Sequence, residues 1–179
     1  MDVSESIKLN RSDYFIRSLH LADADLLQAL YDQCADFTLL VEGEPVSPTE
    51  AQADLQSVPP GKSLADKFVF GIFNLQGEIV GVLDAVRDYP EEAAWWIGLL
   101  MLAPALRRQG LGQDAFCAFS EYVCIHGGRR IMLGVVEENQ PALQFWQKMG
   151  FSLLRKTEPR LFGKKVQAVY ILCQPASQD

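Results

Sequence analysis

The chain has few residues of the kinds that build metal centres or disulfide frameworks. Among its 179 residues are two histidines and four cysteines, and Cys34, Cys117, Cys124 and Cys173 form no Cys-x-x-Cys pair. Zinc sites need several such ligands at short spacings, and disulfide-stapled proteins need paired cysteines. We therefore expect no metal site, and we predict buried, reduced thiols in a cytoplasmic protein.

Long apolar runs are also missing. No uninterrupted apolar stretch approaches the ~20 residues that a membrane-spanning helix requires. The segment Met1–Glu5 lacks the basic and apolar regions of a secretory signal. The net charge of −7 disfavours binding to nucleic acid, which is a polyanion. These absences predict a cytoplasmic location, with no membrane partner and no nucleic-acid partner.

Positive charge is absent from one long segment. Between Leu21 and Gly61 there is no Lys or Arg, but there are eight acidic residues. After Leu100 the balance reverses, with ten basic residues against six acidic ones. A basic half suits a polyanionic ligand, and an acidic wall attracts a cationic amine or polyamine. Solvated acids on helix surfaces explain the first segment equally well, so both interpretations stay open.

The chain alternates strand and helix patterns in a way that is typical of one α/β domain. We expect a single domain over residues 1–179, with its core at about 14–173, since no repeat or linker divides the chain. Apolar periodicity predicts strands at 14–21, 68–75, 79–86, 95–102, 130–136, 151–157 and 166–173, and helices at 22–36, 47–58, 113–126 and 140–149. The residues predicted to lie on the inner face of the first helix are Leu26, Leu27, Leu30 and Tyr31.

The most informative stretch is Arg107–Gly112, with the sequence Arg-Arg-Gln-Gly-Leu-Gly. It joins the strand at 95–102 to the helical pattern that begins at Gln113, so backbone N–H groups and the positive end of the helix dipole converge there. Gly110 and Gly112 allow an anion to approach the backbone, and the two arginines add charge. The spacing fits neither a P-loop nor a Rossmann turn. The stretch predicts a site for a phosphorylated cofactor, with a solvated turn as the alternative.

A second motif runs from Asn139 to Phe151, after the strand pattern at 131–136. Asn139 is placed to cap a short helix, Pro141 suits the first turn of that helix, and Gly150 suits its end. Apolar residues at spacings of three and four give the helix one buried face. Taken alone, this motif predicts an ordinary β-α-β part of a core.

Together, the two motifs resemble those of the GNAT superfamily of acyl-CoA-dependent N-acetyltransferases. The first has the family's Gln/Arg-x-x-Gly-x-Gly/Ala pattern at Arg107, Gly110 and Gly112. The second has its Asn-x-x-Ala-x-x-Phe-aromatic-x-x-x-Gly-Phe pattern at Asn139, Ala142, Phe145, Trp146, Gly150 and Phe151. The resemblance covers about residues 14–173. It implies an α/β fold with a mixed, mostly antiparallel twisted sheet of about seven strands, helices on both faces, and parallel strands 4 and 5 that splay apart.

The resemblance also implies a cofactor site and a reaction. Acetyl-CoA would bind between the splayed strands, and its acetyl group would pass directly to a primary amine of a small molecule or peptide. A backbone N–H of the strand would steady the developing oxyanion, without a covalent enzyme intermediate. The implied residues of the CoA site are Leu100, Met101, Leu102, Arg107, Arg108, Gln109, Gly110, Leu111, Gly112, Gln113, Asn139, Phe145 and Trp146.

The groups that transfer protons are where this sequence departs from the better-known members of that family. The positions of their glutamate base and tyrosine acid correspond to Trp96 and Trp146, and an indole does not titrate near neutral pH. An alkyl ammonium, with a pKa of roughly 10, must still lose a proton before it attacks. Asp84 is the first candidate to accept this proton and Glu137 the second, while a solvated acid is the alternative for each. The further candidate acceptors are Glu138 and Glu92, and the candidate acids are Tyr122 and Tyr170.

Three functions stay open from the sequence. The first is an N-acetyltransferase with an amine or peptide acceptor. The second is a non-catalytic, regulatory acyl-CoA-binding module, which the tryptophans at both proton-transfer positions favour. The third is an interaction protein that binds a peptide in the cleft without a cofactor. We expect either a monomer or a homodimer.

Overall fold

The computed structural model describes residues 7–176, so the predicted absence of a signal at Met1–Glu5 lies outside the described residues. The strands are β1 (Tyr14–Ser18), β2 (Lys67–Asn74), β3 (Ile79–Arg87), β4 (Ala94–Leu102), β5 (Arg130–Val136), β6 (Ser152–Lys156), β7 (Arg160–Phe162), β8 (Lys165–Gln167) and β9 (Val169–Pro175). The helices are α1 (Ala24–Gln33), α2 (Ala35–Val41), α3 (Glu50–Gln56), α4 (Leu111–Ile125) and α5 (Gln140–Lys148).

Seven of the strands form one sheet, in the order β1-β2-β3-β4-β5-β9-β6. Adjacent strands of this sheet are antiparallel except for β4 and β5, which are parallel. The β4–β5 pairing ends at Ile97 and Leu133, whereas β4 stays paired with β3 as far as Leu102. The mixed seven-stranded sheet and its splayed parallel strands are therefore confirmed.

Helices cover both faces of the sheet, as the resemblance implied. On one face, α4 and α5 pack over a core in which Trp95 and Phe119 are fully buried. On the other face, α1 and α3 pack over a second core that contains Leu27 and Leu30. Ile7 is only 6% exposed and belongs to the first core, so the packed region begins before the predicted boundary at residue 14.

The strand β4 contains a bulge at Gly98 that decides which side chains face the second core. Leu99 pairs with Asp84, and Ile97 pairs with the next residue of β3, so Gly98 has no partner on that strand. In such a bulge, two residues of one strand lie opposite a single residue of the neighbouring strand. The extra residue bends the strand, and the side chains beyond it face the opposite sides of the sheet from those expected for a regular strand. As a result, three residues of β4 line the same side of the sheet: Trp96, Leu99 and Met101.

The first predicted helix, at 22–36, is divided in the structure. A short 3₁₀ turn at Leu21–Asp23 precedes α1, and the chain leaves the helical conformation at Cys34 before α2 begins. The prediction that Leu26 is buried is wrong, since its side chain is 43% exposed. The buried stripe of α1 follows Leu27, Leu30 and Cys34 at spacings of three and four, and Leu26 lies beside that stripe.

The segment before β9 contains a hairpin, β7–β8, that the sequence did not predict. Its strands have three residues each, too few for a periodic signal. Lys165 donates a hydrogen bond to the carbonyl of Leu40 at 3.0 Å, and the buried amide of Gln167 donates to Val41 at 2.7 Å. These contacts hold the hairpin against the end of α2.

The prediction of buried thiols is correct for Cys34, which is 1% exposed, and wrong for Cys117, which is exposed. Cys117 lies on the outer face of α4, because its helical neighbours Phe116 and Ala118 occupy the buried face. Within residues 7–176, no helix has the length and apolar character to cross a membrane. In the same range, no three His, Cys, Asp or Glu side chains are grouped so that they could hold a metal ion.

Candidate active site

The turn at Arg107–Gly112 joins β4 to α4, and its Gly110 is the N-cap of the helix. Gly110 has a φ of +88°, a left-handed conformation that other residues adopt only at a cost. The first N–H groups of α4, at 111–113, have no acceptor within the helix. A Cβ atom at position 110 would lie 3.0 Å from Nη2 of Arg11, so a side chain would crowd this end of the helix. Free amides beside a guanidinium are suited to a phosphate group.

Arg11 is a residue of this site that the sequence reasoning missed. Its Nη2 donates a hydrogen bond to the carbonyl of Gln109 at 2.9 Å, and its Nε pairs with the carboxylate of Asp114 in the first turn of α4. The guanidinium therefore lies against the turn. No local pattern could have located it, because Arg11 and Gln109 are 98 positions apart in the chain.

The two arginines of the turn have different surroundings. Arg107 donates through Nε to the carbonyl of Leu102 at 3.0 Å and forms a two-pronged ion pair with Asp36 of α2. This pair lowers the pKa of the Asp36 carboxyl. Arg108 is exposed and makes no side-chain hydrogen bond or ion pair with any residue between 7 and 176. Arg107 thus anchors the turn to α2, and Arg108 is left available for an anion.

The predicted walls of the cofactor cleft lie on either side of the splay. Beyond Ile97, β4 has no partner on β5, so one edge of its main chain lacks a neighbouring strand at Leu100–Leu102, where the carbonyl of Leu102 accepts the hydrogen bond from Arg107. The side chains of Met101 and Leu102 are less than a tenth exposed, which leaves mainly backbone atoms for contact with a ligand. Phe145 borders the start of α4, since its ring would lie 3.7 Å from a Cβ atom at Gly112.

The two predicted cofactor residues of the α5 motif have different positions. Asn139 caps the helix as predicted, and its side-chain oxygen accepts a hydrogen bond from the N–H of Ala142 at 3.2 Å. Trp146 is only 6% exposed and packs edge-to-face on Phe116 and Phe151. Because Trp146 is buried among the side chains of α4 and Phe151, almost none of its ring is left to contact a cofactor. The structure places it in the core.

A cavity of about 530 Å³ lies on the other face of the sheet, between the helices α1–α3 and the strands β3 and β4. This volume is within the range of sites that bind small molecules. Trp96 and Gly98 lie in its floor, and Tyr31 lies in its helical wall. Its carboxylates are Glu42, Glu50, Asp54 and Asp84, and its cations are Lys67 and Arg160. Three of these carboxylates come from the acidic segment before Gly61.

Asp84 lies in the cavity floor beside the bulge. A Cβ atom at Gly98 would lie 3.7 Å from its Oδ2, which accepts a 2.7 Å hydrogen bond from Nζ of Lys67. The other oxygen, Oδ1, is buried and has no hydrogen-bond partner within the described residues. Burial raises the pKa of Asp84, although Lys67 acts in the opposite direction. A carboxylate with a raised pKa is suited to accept a proton near neutral pH.

The other candidates for proton transfer lie outside this cavity. Glu137 follows β5 and pairs with Lys156 at the surface, and the neighbouring Glu138 pairs with Lys165 at 2.6 Å. Neither carboxylate is among the residues that line the cavity. The same is true of Glu92, Tyr122 and Tyr170. Of the proton acceptors that the sequence suggested, the structure brings Asp84 to the cavity.

Tyr31 is a further residue of the cavity that the sequence reasoning assigned only to the core. Its side chain is 6% exposed, and its hydroxyl donates a hydrogen bond to Oδ2 of Asp54 at 2.8 Å. Burial, followed by the nearby carboxylate of Asp54, raises the pKa of Tyr31 far above its usual value. The phenol therefore stays protonated and holds Asp54 in the cavity wall.

Comparison with known proteins identifies a family. The profile of the acetyltransferase (GNAT) family matches residues 25–151, which is more than half of the chain. The chain is 32% identical over 104 residues to the uncharacterized N-acetyltransferase YdgE of Bacillus subtilis strain 168. This match covers 57% of the chain and 66% of the relative, just under two thirds of its length.

Solved structures have the same fold. An acetyltransferase from Thermus thermophilus superposes with a TM-score of 0.71 at 27% identity, over 91% of this chain and 97% of that one. The ribosomal L7/L12 α-N-protein acetyltransferase RimL, in complex with coenzyme A, superposes with a TM-score of 0.78 at 18% identity. That match covers 96% of this chain and 98% of RimL.

Proposed function

Because the chain belongs to the acetyltransferase (GNAT) family, which confirms the predicted class of enzyme, we propose that it transfers an acetyl group from acetyl-CoA to a primary amine. The acceptor would be a small molecule or a peptide that attacks the donor directly in a ternary complex. The observation that carries this proposal is the arrangement along β4. Its splayed edge leads to the anion-binding turn at one end, and the Gly98 bulge beside Asp84 lies at the other. We also propose that residues 1–179 form one domain and that the protein is located in the cytoplasm.

The residues around the turn fit the phosphates of coenzyme A. The backbone N–H groups at 109–113 would hold the diphosphate, with Arg108 and Arg11 beside it. The open main-chain edge at Leu100–Leu102, together with Asn139 and Phe145, would hold the pantetheine arm. When bound, acetyl-CoA supplies a thioester carbon that is open to attack and a thiol leaving group with a pKa of about 8.5. The complex of RimL with coenzyme A supports this choice of donor.

The residues of the chain itself would hold and deprotonate the acceptor. Asp84 would take a proton from the ammonium group through Oδ1, while Lys67 holds Oδ2 in place. The main-chain groups of β4 that face away from β3 beyond Gly98 would stabilise the negative charge that develops on the acyl oxygen. Glu137 is the second candidate base, but its pairing with Lys156 favours Asp84.

The cofactor site is tested by comparing Gly110→Ala with Gly127→Ala. Both glycines have left-handed backbone conformations, and position 127 lies at the far end of α4 with open space around it. We expect each variant to lose about 1 kcal/mol of stability, from the same left-handed strain. Only Gly110→Ala should lose affinity for coenzyme A, measured by calorimetry. Equal affinity in both variants, or no heat with the wild-type protein, would contradict the proposed site.

Catalysis is tested by following free thiol from acetyl-CoA with a panel of amines. Thiol release that depends on an amine supports the transferase. Binding of coenzyme A without such release would instead support the acyl-CoA-binding module. No binding at all would leave a peptide-binding protein as the remaining candidate.

A further inference from the structure

One wall of the cavity carries three carboxylates that have no cationic partner among the described residues. Glu42 lies at the end of α2, and Glu50 and Asp54 lie on α3. In the described part of the chain, none of the three forms an ion pair. Glu50 interacts electrostatically with Glu42 and with Asp54, and Asp54 interacts with Asp84. These four carboxylates all line the cavity and are called the carboxylate row below; Asp84 is the member that lies beside Gly98.

This row is unfavourable in the free protein. Burial raises the pKa of Glu50, and repulsion from Asp54 and Glu42 raises it further. Neighbouring like charges disfavour ionisation, and a positive charge placed among them reverses the effect. The wall is therefore better suited to a bound cation than to an anionic ligand.

A separate observation concerns the Asp84 carboxylate of this row. Oδ1 of Asp84 is buried in the cavity floor without a hydrogen-bond donor among residues 7–176. Buried carboxylate oxygens are nearly always paired, and an unpaired one costs free energy. A ligand N–H group would supply the missing donor. The cavity thus suits a ligand with a nitrogen at Asp84 and a positive charge near Glu50.

We propose that the acceptor is a linear diamine or polyamine. This inference rests on the proposed function and names the acceptor class for the same site. One amine lies at Asp84 and Gly98, and a second, protonated nitrogen lies against Glu50 and Asp54. Trp96 and Leu99 line the cavity beside them and provide apolar contact for the carbon chain.

The transfer step balances with the donor already named. The first ammonium gives a proton to Asp84, and its nitrogen forms a bond to the acyl carbon of the thioester. The carbon–sulfur bond breaks, sulfur leaves with the electron pair, and it takes up the second proton that the nitrogen loses as the amide forms. The second nitrogen stays charged throughout and only positions the chain.

Arg160 is the cavity residue that would favour a different acceptor. Its guanidinium stacks on the ring of Phe162 at 4.7 Å, within the β7–β8 hairpin. Among residues 7–176 it has no carboxylate partner, so it could bind the carboxylate of an amino acid. An amino-acid acceptor is therefore the competing outcome of the test.

Three probes of equal reach separate these outcomes: a straight five-carbon diamine, the straight six-carbon monoamine, and the six-carbon amino acid with its amine and carboxylate at opposite ends. Their far ends are positive, apolar and negative. We expect kcat/KM for the diamine to exceed that for the monoamine by about tenfold or more, with the amino acid lowest. Calorimetry of each probe with the CoA-bound protein should give the same order of affinity.

The matched variants are Glu50→Gln and Asp25→Asn, which remove one negative charge each. Asp25 is an exposed residue of α1 outside the cavity. Glu50→Gln should abolish most of the preference for the diamine, chiefly through KM, and Asp25→Asn should preserve it. A diamine that binds and reacts no better than the monoamine overturns the inference, as does a preference for the amino acid. A preference that survives both Glu50→Gln and Asp54→Asn also overturns it.

Failure of the proposed function would look different. In that case no probe would release thiol, or coenzyme A would not bind. Calorimetry of the three probes with the protein alone would still decide whether the carboxylate row selects a dication.

Discussion

Asp84 and Glu137 show how the surroundings of a carboxylate decide its use. Both follow or occupy central strands, and both were candidates for the proton acceptor. Asp84 is buried beside the bulge, with one oxygen on Lys67 and the other without a donor among the described residues. Glu137 is about half exposed and pairs with Lys156, an arrangement typical of a solvated surface ion pair. The difference leads to a prediction at the scale of one residue.

We expect Asp84→Asn to lower kcat/KM by about 100-fold near neutral pH. The loss should be larger at lower pH and smaller at higher pH. An amide cannot accept the proton, and the amine, with a pKa of roughly 10, is then mostly protonated. As the pH rises toward that value, free amine accumulates and the difference between the variant and the wild type should narrow.

The measurement is a pH–rate profile for the wild type, Asp84→Asn and Glu137→Gln, with thermal unfolding of each as a check on folding. Glu137→Gln should follow the wild-type profile. An Asp84→Asn enzyme with unchanged turnover at every pH would remove Asp84 from the mechanism.

At the scale of elements, the bulge in β4 lies between the splayed edge of that strand and the cavity on the other face of the sheet. If Gly98 were paired as in a regular strand, Leu99 and Met101 would face away from Trp96. With the bulge, all three line the cavity, while the same strand has no β5 partner beyond Ile97. The helical wall is held in place by two long-range anchors: Arg107 binds Asp36 at the start of α2, and Lys165 binds Leu40 near its end.

We expect Gly98→Ala to fold as the wild type does but to react poorly with the acceptor. The added Cβ would make ordinary contacts of 3.7 Å with the Asp84 carboxylate, so little strain results. Its methyl group would occupy the space in which the amine nitrogen must lie, and kcat/KM should fall by about tenfold or more. Affinity for coenzyme A should be unchanged.

Gly112→Ala is the matched control, because its Cβ would also make ordinary contacts, with Leu102 and Phe145 at 3.6–3.7 Å. That position lies on the cofactor side, so the affinity for coenzyme A should change there instead. For both variants, steady-state kinetics measures kcat/KM for the acceptor, and calorimetry measures the affinity for coenzyme A. Normal acceptor kinetics in Gly98→Ala would mean that the amine binds elsewhere.

At the scale of the whole molecule, acidic residues exceed basic ones, and the net charge is −7. The pKa values of individual carboxylates are shifted in opposite directions. Ion pairing with Arg17 lowers the pKa of Asp23, and burial raises the pKa of Glu50. Asp23 therefore adds stability above its unfolded pKa, of about 3.9, and this contribution is lost as the pH falls through its lower folded pKa.

We expect Asp23→Asn to lower the free energy of unfolding at neutral pH by about 1 kcal/mol or less, since the pair with Arg17 at 2.8 Å is partly exposed. As the pH falls below ~4 and through the lower folded pKa of Asp23, the variant and the wild type should converge, because protonation breaks the pair in the wild type as well. Urea unfolding at both pH values tests this, with Asp25→Asn as an exposed control. A constant difference between Asp23→Asn and the wild type would contradict the assignment.

The sequence predicted the parts of the fold that depend on neighbouring residues. The turn that joins β4 to α4 and the cap at Asn139 follow from residues within a few positions of each other. The hairpin β7–β8 was missed because strands of three residues carry no periodicity, and Leu26 was misplaced because it borders the buried stripe of α1.

The order of elements, the family and the glycine turn between β4 and α4 were thus readable from the chain, because backbone geometry and apolar periodicity are local properties. The placement of Arg11 on that turn, the use of Arg107 as an anchor for Asp36, and the pairing of Glu137 with Lys156 were not readable. Each depends on contacts or burial that arise only after distant segments have packed together. Charge and hydrogen bonding at the site are set by that packing.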